Sequence, residues 1–313
     1  MNNHHEYVYE QLVSITAEEN VMVDKELKSH TYTRLGGKAD FFVTPETYEQ
    51  VQRIVQFANE DQIKFTLLGN GSNLIIKDGG IRGIVMSLSK LATIKTNGTT
   101  IVAQSGARII DVSRAALKHH LTGLEFACGI PGSVGGALYM NAGAYGGEIK
   151  DVLASTVVVD RSGSLKTLSA ADLDLDYRTS NIPKNGYIVL EATFHLDEGI
   201  YADIKAIMDD LTYKRESKQP LEYPSCGSVF KRPPGYYAGK LIQDSGLQGK
   251  RIGGAEVSQK HAGFIVNRDE ATAEEYIDLI HYVQRTVKGK YGVTLEREVR
   301  IIGDDLEQQV KTN

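Results

Sequence analysis

The chain has 313 residues with a formal net charge of −5, and 41% of its residues are hydrophobic and 24% charged. These values suit a globular chain of about two domains, and the negative charge argues against general binding to nucleic acid or anionic membranes. No stretch approaches the roughly 20 apolar residues of a membrane span, and the N-terminus lacks the pattern of a secretion signal. We therefore expect a cytoplasmic protein in which Cys128 and Cys226 are reduced thiols.

The first predicted elements follow an α+β rhythm rather than a regular parallel α/β repeat. A helix is expected at 45–61, where Thr44 can cap and Pro45 suits the first helical position. Its apolar stripe comprises Val51, Ile54, Val55 and Ala58. Short strands are predicted at 64–68, 74–76, 84–88 and 100–104, a second helix at 109–121, and longer strands at 152–160 and 187–196.

The pattern changes near residue 199, where we place a boundary between predicted domains at 1–199 and 200–303. An amphipathic helix is predicted at 202–216, and residues 304–313 are expected to be a frayed tail. The apolar side of that helix comprises Ile204, Ile207, Met208 and Leu211.

The last two predicted elements are a long helix and a strand. Thr272 and Glu275 form a capping-box pattern at the start of the helix, and Gly289 and Gly292 are expected to end it. A final strand is predicted at 293–302, where alternation directs Glu296, Glu298 and Arg300 to one face.

A first glycine-rich segment follows the strand at 64–68. It consists of Gly69, Asn70, Gly71, Ser72 and Asn73. Glycines allow successive backbone N–H groups to turn toward an anion, and the serine and asparagines add donors. A Rossmann fingerprint is the rival interpretation, but the third glycine is missing and a strand, not a helix, follows.

A second segment, 129–147, contains seven glycines interleaved with Ser133, Asn141 and Tyr145. A structural turn needs one or two glycines, so this density indicates backbone that follows a large ligand closely. Together the two segments predict a dinucleotide held without a Rossmann fold. The predicted contacts in the second segment are Gly132, Ser133, Gly135, Gly136 and Asn141.

Positive charge is concentrated at 221–268, where seven basic residues stand against three acidic ones. This favours a pocket for a small anionic ligand, although a solvated surface patch is an alternative. The basic residues are Lys231, Arg232, Lys240, Lys250, Arg251, Lys260 and Arg268.

The order and spacing of these motifs resemble the UDP-N-acetylenolpyruvoylglucosamine reductase (UDP-N-acetylmuramate dehydrogenase) family, shorter subtype, over nearly the whole chain. Besides the two glycine-rich segments, the matching motifs are TRLGGKAD at 33–40, YRTS at 177–180, GSVFK at 227–231, KHAGFIVN at 260–267 and EVR at 298–300. The resemblance implies an α+β fold, with an FAD-binding domain of the vanillyl-alcohol oxidase type built from two α+β subdomains. A smaller α/β substrate-binding domain would follow.

The resemblance also implies the reaction. NADPH would reduce a non-covalently bound FAD, and the reduced flavin would deliver hydride to the enolpyruvyl group of UDP-N-acetylglucosamine enolpyruvate. The product would be UDP-N-acetylmuramate, a peptidoglycan precursor. The shorter subtype lacks an extra substrate-covering loop.

Three residues match the family's catalytic positions. Ser228 would donate the proton, while Arg178 and Glu298 would stabilise the enolate that develops after hydride addition. The expected substrate contacts are Tyr145, Tyr177, Lys231, Arg232, Lys240 and Arg300. His261 is a weaker candidate because a packed histidine explains it equally well.

No metal is expected, since the neighbouring His119 and His120 fit surface positions better than a ligand set. The expected partners are the two small-molecule substrates, and the expected state is a monomer. Two other functions stay open: an oxidase of a hydroxy acid on the same fold, and a nucleotide-sugar sensor without turnover.

Overall fold

Helices and strands alternate over residues 3–306, the part of the chain that this computed structural model describes. They belong to two units. The first comprises the described residues up to Asp24 with Asp40–Asn70 and Gly83–Lys214, and the second comprises Lys25–Ala39, Gly71–Arg82 and the described residues from Arg215 onward. The domain ranges 1–199 and 200–303 stay predictions, and residues 307–313 of the predicted tail lie outside the described residues.

The α-helices are α1 (Asn3–Ile15), α2 (Tyr48–Glu60), α3 (Ile109–Lys118), α4 (Val134–Tyr139), α5 (Ile182–Asn185), α6 (Tyr201–Lys218), α7 (Ala238–Asp244) and α8 (Ala273–Tyr291). The strands up to residue 148 are β1 (Val21–Glu26), β2 (Lys38–Val43), β3 (Phe65–Leu68), β4 (Leu74–Ile76), β5 (Ile81–Ser87), β6 (Ile94–Asn97), β7 (Thr100–Gln104), β8 (Leu121–Thr122), β9 (Gly143–Ala144) and β10 (Gly147–Glu148). The later strands are β11 (Leu153–Val159), β12 (Leu165–Ser169), β13 (Ile188–His195), β14 (Asp197–Glu198), β15 (Ser225–Ser228), β16 (Arg251–Ile252), β17 (Ala255–Val257), β18 (Phe264–Asn267) and β19 (Arg300–Ile302). Within residues 3–306, none of the helices has the length and apolar content needed to cross a membrane.

Two larger sheets organise the first unit. One has the order β1-β2-β5-β3, with β3 and β5 parallel, and the other is antiparallel with the order β12-β11-β13-β7-β6. Helix α2 buries its stripe against residues of the first sheet, including Phe41 and Met86. Helices α3 and α4 pack with the second sheet around Ala103 and Phe194. Each fully buried large side chain stabilises the fold by roughly 1.5–3 kcal/mol.

The second unit is built on the antiparallel sheet β15-β18-β17-β16 and helix α8. The buried residues of α8 recur at helical spacing, and Tyr276 is among them. Its hydroxyl donates a hydrogen bond to the Ile265 carbonyl and lies 3.4 Å from the Cys226 sulfur. A separate parallel pair joins β19 to β4, with Arg300 opposite Leu74.

The predicted helix at 45–61 exists but begins later. Helix α2 starts at Tyr48, and its cap is Thr47, whose hydroxyl accepts from the Gln50 N–H, so the prediction of Thr44 as cap was wrong. Thr44 instead donates its backbone N–H to the Asn20 carbonyl, which keeps it in the preceding extended segment. The predicted stripe of α2 is confirmed as buried.

Helix α6 confirms the prediction at 202–216, but its apolar side is narrower than predicted. Ile204 and Met208 are buried against Cys128, whereas Ile207 is 48% exposed. The buried stripe therefore runs through residues four apart, and Ile207 lies outside it.

The start of helix α8 is confirmed, and its end is partly confirmed. Thr272 and Glu275 form both hydrogen bonds of the capping box. Gly292 ends the helix in the left-handed conformation with φ +70°, but Gly289 lies inside the helix and does not end it. The Cβ that an alanine would carry at position 289 would meet nothing within 4 Å, so this glycine marks an exposed helical position.

The predicted strand at 293–302 was wrong in length, since only Arg300–Ile302 forms a strand. Upstream of it the backbone pairs with a different segment: the Lys231 N–H donates to the Glu296 carbonyl at 2.9 Å. The Glu298 N–H donates to the Val229 carbonyl, also at 2.9 Å. Because the chain changes partner between Glu298 and Arg300, one continuous strand cannot form.

Candidate functional site

The two glycine-rich segments meet in the first unit. An added Cβ at Gly69 would lie 3.2 Å from the Ser133 hydroxyl oxygen. The Asn70 side chain donates to the Pro131 carbonyl at 3.5 Å. Residues 69–70 and 131–133, which are separated by some sixty positions in sequence, thus lie side by side, as the prediction of one cradle requires.

Four backbone N–H groups at this junction have no hydrogen-bond partner among residues 3–306. They belong to Gly69, Asn70, Gly132 and Ser133. Ser133 is only 4% exposed, and a buried N–H group without a partner is rare in folded proteins. Clustered N–H donors of this kind form a concavity that suits an anion.

Two other glycines of the second segment have structural roles. An added Cβ at Gly135 would lie 2.1 Å from the Ser105 hydroxyl oxygen, so this glycine permits close packing. The Gly136 N–H donates to the Ser133 hydroxyl at 3.2 Å and caps helix α4. These contacts explain both glycines without a ligand.

A strained hairpin follows helix α4. Strands β9 and β10 are joined by Tyr145 and Gly146, which have φ values of +55° and +95°. Positive φ at both positions suits a two-residue hairpin turn, but a tyrosine there is unfavourable. The turn leaves Tyr145 49% exposed, so its ring is available to a ligand.

Arg178 lies in a second strained turn, which contacts this hairpin. Asp176 and Thr179 exchange backbone hydrogen bonds, and Arg178 between them has φ +54°. Such a conformation costs about 1–3 kcal/mol in a residue other than glycine and persists where the surroundings hold it. The guanidinium donates to the Gly143 carbonyl at 2.8 Å and lies 5.2 Å from the ring centre of the half-exposed Tyr177.

The Asn141 side chain is occupied by protein partners. Its amide nitrogen donates to Glu148 Oε2 at 2.9 Å and to the Asp176 carbonyl at 3.1 Å, and its oxygen accepts from the Lys150 N–H at 2.9 Å. Asn141 thus ties the hairpin to the Arg178 turn. Its predicted contact with a cofactor stays a prediction, and its side-chain bonds favour a structural role.

Glu148 was missed by the sequence analysis. A hydrogen bond from Lys150 is the main cause that lowers the pKa of its carboxyl group, and Asn141 and the charge of Arg178 act in the same direction. The carboxylate is therefore held ionised beside the Arg178 turn. A detectable signal was the acidic pair Glu148 and Asp151, which forms a capping box directly after the glycine-rich segment.

In the second unit, a bulge presents Ser228. The pairing of β15 with β18 shifts between Ser225, opposite Val266, and Ser228, opposite Phe264. Gly227 adopts φ +77° within this bulge. Ser228 is half-buried, and its hydroxyl has no hydrogen-bond partner in the described part of the chain. The hydroxyl is therefore free to contact a substrate.

The second unit brings Ser228 together with two other predicted segments. Glu298 donates its N–H to Val229, the residue after Ser228, and its carbonyl accepts from the Asn73 side chain at 3.2 Å. The Arg300 N–H donates to the Asn73 carbonyl. Residues 71–73, 228–231 and 296–300 thus converge. Gly71 is needed for packing there, since an added Cβ would lie 2.2 Å from the His30 carbonyl.

The Glu298 charge acts on a buried neighbour. Burial is the main cause that raises the pKa of the Cys226 thiol to about 11, and the Glu298 charge also raises it. Glu298 is half-buried, whereas Glu296 is exposed. Cys226 is therefore an unreactive thiol.

Each of the seven basic residues of 221–268 has a partner within the chain, and the predicted anion pocket stays a prediction. Four are in ion pairs: Lys231 with Glu296, Lys240 with Asp244, Arg251 with Asp269 and Lys260 with Glu222. Three lie over aromatic rings: Arg232 over Tyr237, Lys250 over Tyr282 and Arg268 over Tyr223. Exposed ion pairs contribute at most about 1 kcal/mol, so an anionic ligand can displace them.

Three histidines that the sequence singled out lie in structural or surface positions. The His261 ring accepts from the Gly263 N–H at its Nδ1 atom and packs edge-on against Phe264, and burial lowers its pKa. His119 and His120 are exposed just beyond the end of α3. The packed interpretation of His261 accounts for all these contacts.

Comparisons with known proteins cover nearly the whole chain. The family model described as an FAD binding domain matches residues 39–169, and the model for the C-terminal domain of UDP-N-acetylenolpyruvoylglucosamine reductase matches residues 219–302. A UDP-N-acetylenolpyruvoylglucosamine reductase from Oceanobacillus iheyensis is 71% identical over 97% of this chain and 98% of its own length. UDP-N-acetylenolpyruvoylglucosamine reductase 2 from Bacillus cereus is 65% identical over 96% and 98%. The crystal structure of the Thermus caldophilus UDP-N-acetylenolpyruvylglucosamine reductase aligns with a TM-score of 0.77 and 33% identity, covering 90% of this chain and 97% of that one.

Proposed function

The chain belongs to the UDP-N-acetylenolpyruvoylglucosamine reductase family, and from this premise we propose how its own residues serve the reaction. It is an FAD-containing oxidoreductase that reduces UDP-N-acetylglucosamine enolpyruvate in peptidoglycan precursor synthesis. The product is UDP-N-acetylmuramate. We propose NADPH as the reductant. The family match argues against the hydroxy-acid oxidase and against the sensor.

The cradle in the first unit fits the diphosphate of FAD. Its four unpaired N–H groups, from Gly69, Asn70, Gly132 and Ser133, match the acceptor oxygens of phosphates, which carry no hydrogens to donate. We propose that these groups hold FAD non-covalently. When bound, FAD supplies the transfer of two electrons from NADPH to the enolpyruvyl group. The other predicted cofactor contacts, Gly71, Ser72, Asn73, Gly135 and Gly136, stay predictions.

Ser228 is the proposed proton donor, and its free hydroxyl in the bulge is the observation that carries this role. The proton passes from Ser228 Oγ to the substrate carbon that bears the carboxylate, and solvent then restores the hydroxyl proton. A serine hydroxyl is a weak acid, so it donates only when that carbon has become strongly basic.

Arg178 and Glu298 are the proposed stabilisers of the enolate. Negative charge spreads into the substrate carboxylate, and the planar guanidinium of Arg178 can bind both of its oxygens. Glu298 can share a proton with this carboxylate when it is itself protonated. Removing one preorganised donor of the Arg178 kind typically lowers turnover about 10²–10³-fold.

The remaining predicted contacts serve binding of the sugar nucleotide in this proposal. Tyr145 and Tyr177 offer exposed rings. Lys231, Arg232, Lys240 and Arg300 offer cations for the diphosphate. The surface ion pairs of Lys231 and Lys240 and the ring contact of Arg232 are weak enough to exchange for a ligand that carries two phosphates.

The proton transfer is tested by separating the two half-reactions in stopped flow. In a Ser228→Ala variant, NADPH should reduce the flavin, and so bleach its absorbance, at a near-normal rate. Reoxidation of the flavin by the enolpyruvyl substrate, which recolours it, should slow by roughly 10²–10⁴. Ser225→Ala is the matched control, because Ser225 lies on the same strand three residues upstream. Equal slowing of both half-reactions in Ser228→Ala would refute the proton-donor role.

We also propose that the protein is a cytoplasmic monomer. Light scattering after size exclusion should give a mass near 34.4 kDa for the chain alone. Fractionation of its native host should recover it with the cytoplasmic enzymes. A stable mass of twice that value, or recovery with membranes, would overturn the respective proposal.

A further inference from the structure

Glu148 stands at the junction of the hairpin and the Arg178 turn. In the β9–β10 pair it lies opposite Gly143, the residue whose carbonyl accepts the Arg178 guanidinium. The pairing is close, because an added Cβ at Gly143 would lie 2.7 Å from the Glu148 side chain. The Glu148 side chain is thus held next to the Gly143 carbonyl, which accepts from the Arg178 guanidinium.

The carboxylate also sets the orientation of a buried amide. Asn141 is fully buried, and its nitrogen donates to Glu148 on one side and to the Asp176 carbonyl on the other. Its oxygen is held by the Lys150 N–H. Without an acceptor at Glu148 the nitrogen would lose one of its two partners in a site closed to solvent, which is unfavourable.

The Asp176 carbonyl belongs to the turn that keeps Arg178 in the left-handed conformation. A strained backbone persists only where several contacts hold it. Here the contacts run from Glu148 through Asn141 to Asp176, and from Gly143 to the guanidinium itself. Both routes begin in the hairpin.

We propose that Glu148 is a positioning residue for Arg178: through Asn141 it holds the 176–179 turn, and thereby aims the guanidinium at the substrate carboxylate. The inference rests on the proposed function of Arg178. It assigns Glu148 no contact with substrate. For this role Glu148 needs an acceptor oxygen at the end of a side chain of its own length, so that the oxygen reaches the Asn141 amide.

Two variants separate length from charge in the FAD-loaded enzyme. Glu148→Asp keeps the charge but withdraws the carboxylate by one methylene, and should slow substrate-driven recolouring about 10–100-fold, as small misplacements do. Glu148→Gln keeps the oxygen and should stay within about threefold of the parent. Lys150→Met, which removes the other side chain bound to Glu148, is the control and should behave like the parent. Bleaching by NADPH should be unchanged in all three variants. Glu148→Asp at the parent rate, or Glu148→Gln as slow as Glu148→Asp, would overturn the inference.

A double-mutant cycle distinguishes this inference from the proposal on which it rests. In an Arg178→Ala background, Glu148→Asp should have no further effect, because the group that it positions is gone. A full additional loss would show that Glu148 acts elsewhere and would refute the positioning role. If Arg178→Ala itself recolours normally, the proposed function of Arg178 fails instead.

Trypsin gives a readout without turnover. If the turn loosens in FAD-loaded Glu148→Asp, cleavage after Arg178 should become at least about fivefold faster, since proteolysis follows local opening. Cleavage after Lys118, exposed at the end of α3, supplies the reference rate and should not change. Equal cleavage after Arg178 in the parent and in Glu148→Asp would contradict the inference even if turnover falls.

Discussion

Gly227 controls the position of Ser228 through backbone conformation alone. Its φ of +77° is unfavourable for residues with a side chain, yet an added Cβ would meet nothing within 4 Å. A Gly227→Ala substitution therefore introduces strain of about 1–2 kcal/mol without a clash. Each 1.4 kcal/mol changes an equilibrium constant about tenfold, so the ratio of the native to the relaxed bulge would fall about tenfold.

Gly246 offers a matched control in the same unit. It has φ +74° and equally open surroundings, but it follows helix α7 and is not part of the bulge. Gly227→Ala and Gly246→Ala should each lower the melting temperature by about 2–6 °C. Only Gly227→Ala should slow reoxidation of the flavin by substrate, by up to about tenfold, while its reduction by NADPH stays unchanged. Gly227→Asn should be milder, because asparagine tolerates the left-handed region.

Stopped-flow traces of the two half-reactions, with melting curves of the same samples, distinguish a specific effect on Ser228 from general destabilisation. Equal recolouring rates in Gly227→Ala and Gly246→Ala would refute the idea that the bulge places the proton donor. Loss of activity in both would assign the effect to general destabilisation.

Three other predictions concern single groups. Thr272→Ala removes the capping box of α8 and should lower the free energy of unfolding by about 1 kcal/mol without changing turnover, as denaturant titration and steady-state kinetics will measure. At pH 8 a thiol with a pKa of about 11 is ionised in about one molecule in a thousand, so native Cys226 should resist a disulfide reagent that labels the unfolded chain at once. Burial lowers the pKa of His261 in the folded protein. As the pH drops below about 6.5, the unfolded chain binds a proton at this residue more readily than the folded chain does, so the free energy of unfolding should fall. His261→Asn, which offers an oxygen to the Gly263 N–H, should weaken that dependence in melting curves from pH 5 to pH 8; an unchanged slope would contradict this.

Local patterns predicted the elements whose cause is local. The stripe of α2, the capping box of Thr272 and the strand Leu74–Ile76 depend on residues a few positions apart, and all three were found. The 293–302 segment failed for the opposite reason. Its alternation is compatible with one strand, but Lys231 and Val229 take the backbone bonds of its first half.

The residues of the candidate site also fall into those that local sequence predicts and those that depend on distant contacts. Gly69 and Ser133 could be recognised from composition, because only glycine-rich backbone can offer several N–H groups to one anion. Glu148 could not, since its role depends on a hydrogen bond to Asn141 and on pairing opposite Gly143. The local pattern of Glu148 and Asp151 marks Glu148 as a helix cap, but it does not show the hydrogen bond to Asn141.

Backbone strain links these observations. Asn141, Tyr145 and Arg178 all have positive φ, a conformation that glycine would adopt with less strain. The strain is explained if each side chain does something that glycine cannot: the first bonds two segments, the second presents a ring, and the third presents a guanidinium. Gly227 shows the converse: the bulge uses its positive φ without any side chain, and the hydroxyl of the proposed proton donor, Ser228, belongs to the next residue. Substitutions at Tyr145, Arg178 and Gly227 should therefore separate stability from turnover most clearly.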